Sequence, residues 1–128
     1  MTHVVEAVVE VTTSSSGAVT GYTSPVTGII SAIVYEPSTL AALATGVALA
    51  ITMERTGIGL WSQTGLDAAK TVSPTQPIHT QAGVARLASS AAPLTEIGGP
   101  IAVANDRVKV AITGGGDAKS GTFRVLVA

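Results

Sequence analysis

The chain is 128 residues long, 46% hydrophobic and only 12% charged, with seven basic against eight acidic side chains and no cysteine. That length fits one domain with a sizeable core. The missing cysteine excludes disulfides and thiolate catalysis and is compatible with a reducing cytoplasm, while scattered basic residues leave no phosphate-binding footprint, so no nucleic-acid partner is expected.

With one Trp, one Phe and two Tyr, the apolar content rests on Val, Ala, Ile and Leu mixed with Thr, Ser and Gly, the composition of half-buried strands. Part of that surface is expected to face other subunits. The opening MTHVVEAVVEV carries Glu6 and Glu10 and lacks a basic n-region, so it reads as a strand and not as a secretory signal. Within it Val5, Ala7, Val9 and Val11 alternate with Val4, Glu6, Val8 and Glu10, the period-2 signature of a strand whose second face is only partly polar. Val4 and Val8 are therefore candidate contact residues. TTSSSG at 12–17 reads as a flexible connector, so residues 1–17 are expected to form an N-terminal strand or arm, and residues 18–128 the body, of a single β-sandwich domain.

GYTSPVTG at 21–28 is dense in turn formers, and GIISAIVYEP at 28–37 predicts a strand ended by Pro37. Residues 38–46 fit either a short helix capped by Ser38 or Thr39 and stopped by Gly46, or an irregular segment. The longest apolar stretch, LAALATGVALAI at 40–51, is too short to cross a bilayer and is broken by Thr45 and Gly46, so no membrane partner is expected. VALAITME at 47–54 predicts a strand with Val47, Leu49, Ile51 and Met53 inward. Its other face, Ala48, Ala50 and Thr52, is small, as if something packs closely against it. Residues 57–77 predict one short strand around Leu60 and Trp61 and then a long loop, 78–88 a weak strand interrupted by Gly83, and 89–100 a connector.

At the C-terminus, PIAVANDRVKVAIT and TFRVLVA alternate around GGGDAKSG. They predict a β-hairpin with an eight-residue loop, in which Val108, Val110, Ile112, Phe123, Val125 and Val127 share one inward face. About seven or eight short strands with little helix predict an all-β sandwich or jelly-roll-like barrel ending in that hairpin.

No catalytic, cofactor or metal site is expected. In GGGDAKSG, Ala118 precedes Lys119 and a strand follows Ser120, whereas a phosphate loop needs Gly before the Lys and a helix after it. The loop reads instead as a mobile hairpin tip, with Asp117 and Lys119 as candidate contacts. His3 and His79 lack further ligands at metal spacing. No Gly-x-Ser-x-Gly occurs, and a carboxylate pair such as Glu96 with Asp106 has nothing to recommend it as a glycosidase dyad. Trp61, with Tyr22 and Tyr35, could offer a sugar-stacking platform, but Leu60 beside it favours a core or interface anchor.

The string GGPIAVANDRVKVAITGGGDAKSGTFRVLV, residues 98–127, resembles the ending of a group of small tailed-bacteriophage structural proteins. There a proline-led strand, an Asp-Arg-Val-Lys-Val-like strand, a glycine-rich loop ending in Lys-Ser/Thr-Gly and a Phe-containing strand recur. The resemblance covers the last quarter of the chain; elsewhere it extends only to texture, such as the Trp near the middle. It implies a non-enzymatic virion component, best matched by a capsid cement (decoration) protein. Such a protein is made in the host cytoplasm, binds the outer surface of the head through the major capsid protein, and forms homo-oligomers, commonly trimers. A head–tail connector or tail-associated protein, or a carbohydrate-binding β-sandwich, are the alternatives.

Overall fold

The computed structural model describes residues 4–66, 68–77, 81–83 and 98–128. Its strands are β1 (Val5–Thr12), β2 (Val19–Tyr22), β3 (Val26–Pro37), β4 (Ala48–Met53), β5 (Gly59–Thr64), β6 (Lys70–Val72), β7 (Gln76–Pro77), β8 (Gly98–Gly99), β9 (Ile101–Asp106), β10 (Val108–Thr113) and β11 (Ser120–Val127). Sheet I has the order β1-β11-β3-β6, with β9 also on β3; sheet II has the order β2-β10-β4-β5; β7 and β8 form a separate pair. Ile30 faces Val127 on one side and Ile101 on the other, so β9 shares with β6 the edge of β3 opposite β11. All pairings are antiparallel, and no helix occurs among the described residues. The chain is an all-β, sandwich-like domain.

Strict alternation builds the core. Phe123, Val125 and Val127 of β11, with Val9 and Val11 of β1 and Ile33 and Tyr35 of β3, turn one face of sheet I inward. Val108, Val110 and Ile112 of β10, with Leu49, Ile51 and Met53 of β4, answer from sheet II. Side chains of this size contribute about 1.5–3 kcal/mol each on full burial. At one lateral side the sheets close together, where Val9 and Val11 lie against Gly21 of β2.

The predicted C-terminal hairpin is not formed. β10 lies in sheet II between β2 and β4, whereas β11 lies in sheet I between β1 and β3, so Gly114–Lys119 is an arch that carries the chain across the core. The six inward residues are all buried as expected, but they meet from opposite layers. The apparently continuous strand before the arch is also divided. Asn105 adopts φ 48°, and the chain passes at Asp106–Arg107 from β9 in sheet I to β10 in sheet II.

Neither is the glycine-rich segment a free tip. The Gly115 amide donates to the Gly17 carbonyl at 2.9 Å, and the Ala44 amide to the Gly115 carbonyl at 2.9 Å. Thr13 Oγ1 donates to the Gly116 carbonyl at 2.5 Å and accepts from the Lys119 amide at 2.8 Å. The expected flexible connector is thus a tight turn, with Thr13 buried and the Ser14 amide bonded to the Ala18 carbonyl at 3.1 Å.

Residues 38–46 form no helix. Ser38 Oγ accepts the amides of Leu40 and Ala41 as a helix cap would, but the chain instead drops Leu43 into the core and leaves Leu40 outside. The predicted strand at Leu60–Trp61 is β5, and the loop expected after it contributes the short β6 and β7. The weak strand expected at 78–88 lies outside the described residues apart from 81–83, as does the connector up to residue 97.

Candidate interaction surfaces

The outer face of sheet I is built by the strand register. Across β1, β11 and β3 it presents the rows Glu6–Leu126–Ala32, Val8–Arg124–Val34 and Glu10–Thr122–Glu36. Arg124 sits between two carboxylates, with Nη1 donating to Glu6 at 2.5 Å and Nε donating to Glu36 at 2.5 Å. Exposed pairs of this kind contribute about 0.2–1 kcal/mol each, and together they tie β11 to both neighbouring strands through one side chain. Toward the arch, a groove of about 460 Å³ opens among Glu10, Glu36, Ser38, Thr39, Ser120 and Thr122.

β1 is the edge strand of this sheet. Val4, just before it, and Val5 at its start are 60% and 58% exposed, and Val8, on the outer face beside Arg124, is 43% exposed. Val5 has inward parity, opposite the buried Val127, yet at the free edge of the sheet it stays exposed. A free strand edge with apolar side chains is a template for pairing or docking.

Across β2, β10, β4 and β5, the outer face of sheet II presents Tyr22–Lys109–Thr52 and Thr20–Ala111–Ala50–Ser62. Beside the first row the Arg107 guanidinium lies 4.2 Å over the Tyr22 ring and pairs with Glu54. The small face expected at Ala48, Ala50 and Thr52 is therefore an open outer surface, and no other described segment packs on it.

The sequence-predicted contact residues do not form one site. Val4 immediately precedes β1 and Val8 lies on it, Asp117 is exposed at the tip of the arch at the other end of the sandwich, and Lys119 is half-buried beside Thr13. Trp61 is on the far edge of sheet II. Its ring packs edge-on to Phe123 at 6.4 Å between centroids, and its Nε1 donates to Gln63 at 3.1 Å, the contacts of a core anchor. Tyr35 is fully buried, 5.0 Å from Phe123 between ring centroids. Tyr22 lies three strand spacings from Trp61, about 14 Å, on the opposite face. These three aromatics assemble no sugar platform.

Asp106 has a structural assignment. It is buried where the chain changes sheets and accepts the amides of Arg55 at 2.8 Å, Arg107 at 2.8 Å and Thr56 at 3.3 Å. Burial alone pushes its carboxyl up, but the amides of Arg55, Arg107 and Thr56 and the Arg55 charge outweigh burial and hold it below its ordinary value. As an acceptor for three amides it is committed to the turn; Glu96, weighed with it as a dyad, lies outside the described residues. Among the described residues no group of three metal-ligating side chains occurs.

Two features escaped the sequence reading: the Glu6–Arg124–Glu36 bracket and the Tyr22–Arg107–Glu54 stack. Outward parity of Glu6, Glu36 and Arg124 was readable, but not that their three strands are neighbours.

No family model and no curated protein matches the chain. A solved structure described as the crystal structure of FLHE aligns over 98% of this chain and 98% of its own, at 10% identity and a TM-score of 0.41, a likeness too low to carry an argument.

Proposed function

We propose that this chain is a non-enzymatic structural subunit of a tailed-bacteriophage virion, a cement protein that binds the outer surface of the head and reinforces it. The observation that carries this reading is the likeness of residues 98–127 to the ending of small phage structural proteins. Those residues form β8 to β11 and supply one interior strand to each sheet, β11 to sheet I and β10 to sheet II. The exposed Val4–Val8 end of edge strand β1 supports it as well, because a shell-binding subunit needs an apolar surface that is wet only before assembly. Its partners on this reading are the major capsid protein and further copies of itself.

The test is to mix the purified protein with shells of the parent phage assembled without it and to sediment them. Saturable recovery with the shells, together with greater resistance of the decorated shells to heat, is the expected result. Binding to isolated tails or connectors in place of shells would assign it to the tail or the head–tail junction. Recovery with neither would overturn the virion reading.

A further inference from the structure

The two outer faces of the sandwich are unlike in charge and in size. Sheet I presents Glu6, Glu10 and Glu36 against the single cation Arg124, which already bridges Glu6 and Glu36, and its knobs are Val8, Val34 and Leu126. Sheet II presents Lys109, with Arg107 balanced by Glu54, on a floor of Ala48, Ala50 and Ala111. Glu10 and Lys109 have no ionic partner among the described residues. No described segment packs over either face.

From this we infer that the outer face of sheet I docks on the outer face of sheet II of a second copy. Like-on-like contacts are disfavoured: sheet I on sheet I sets Glu10 and Glu36 against carboxylates, and sheet II on sheet II sets Lys109 against Lys109, whereas the mixed contact sets opposite charges together. Size agrees, since branched side chains of one face meet the alanine floor of the other, where backbones approach closely. The positions also fix the orientation. Glu10 and Glu36 lie toward the arch, and Lys109 lies toward the Arg107 end of β10, so the second copy is turned about half a revolution around the stacking direction. Because the two faces look in opposite directions, this contact is heterologous and continues as an open series; it does not close as a trimer. Each face is only about 20 Å across, at the small end of specific interfaces, so association is weak and concentration-dependent.

The inference deepens the assembly reading but is tested without any shell, so the two fail separately. Sedimentation velocity of the free protein over micromolar to millimolar concentration is expected to show a series growing beyond the dimer, shrinking as salt rises. E10K and K109E each weaken self-association about tenfold or more while melting like the parent. An equimolar mixture of the two is expected to regain the series with the copies alternating, because the intact sheet II face of E10K meets the intact sheet I face of K109E and the two reversed faces, again opposite in charge, meet at the next contact. The double variant E10K/K109E regains the series. A parent that is monomeric throughout, a closed trimer, single variants that associate like the parent, or a mixture that associates no better than either single variant would each overturn the inference.

Discussion

Phe123 is the residue on which the two layers converge: it is fully buried, tilted against Tyr35 at 5.0 Å and met edge-on by Trp61 at 6.4 Å. Truncation to Ala leaves a cavity that strands in two sheets cannot easily collapse. We expect a loss of about 3–5 kcal/mol, read from the denaturant midpoint. Its neighbour Tyr35 behaves oppositely. The Tyr35 hydroxyl is buried without a hydrogen-bond partner, and its ring covers Gly121, where an added Cβ would lie 2.7 Å from it. Tyr35→Phe removes only the unpaired group and is expected to melt at or above the parent, by up to about 1 kcal/mol. Burial also raises the phenol above its ordinary 10.0. Stability from this group is present below pH 10.0 and lost as pH rises further, so the Phe variant also loses that alkaline slope.

Asp106 sets the acid limb. Its folded pKa lies below the ordinary 3.8, so its contribution is present above pH 3.8 and disappears as pH falls through the folded value. Asp106→Asn is expected to lower the melting temperature at pH 7 and to flatten its fall below pH 4. A variant whose acid profile parallels that of the parent would show that the three amides do not stabilise the carboxylate.

At the scale of elements, the arch separates what anchors the chain from what is free. Gly114 has φ 65°, and a Cβ there would lie 2.7 Å from the Gly46 carbonyl oxygen. Gly114→Ala is therefore expected to destabilise by more than about 1 kcal/mol. Replacing Asp117 and Lys119 by Ala leaves the backbone bonds of the arch intact and is expected to change stability within about 0.5 kcal/mol. Thermal melts of the two variants check both statements.

The same arch shows how far the sequence could be read. Period-2 alternation identified the buried residues of β4, β10 and β11 because each strand is wet on one side. It did not say to which layer a strand belongs: an eight-residue glycine-rich loop serves a hairpin or an arch equally well, and both keep Val108 and Phe123 inward. The break at Asn105–Asp106–Arg107 was hidden for a similar reason, since β9 and β10 alternate on either side of it. Its signal was an acidic residue in the middle of an apolar run. Of the candidate surface, Val4 and Val8 were legible from parity. The Arg124 bracket was not, because it depends on β1, β11 and β3 being neighbours.

For the whole molecule, β1 is both scaffold and surface. It pairs with β11 from Val5 to Thr12 and buries Val9 and Val11, so deleting residues 1–12 would damage the sandwich along with any contact made by the strand. Substituting only the exposed positions separates the two. Val4→Thr with Val8→Thr keeps β-branched side chains and is expected to leave stability within about 0.5 kcal/mol while weakening recovery with shells in the sedimentation assay. Unchanged recovery would place the shell contact elsewhere on the molecule.

The assembly reading is tested most directly by a cryo-electron reconstruction of the parent particle. It should show a two-layered β-sandwich on the outer surface of the head, with the Val4–Val8 end of β1 buried against the shell or a neighbouring copy. A bare head surface, with the sandwich found in the tail or nowhere in the particle, would contradict it.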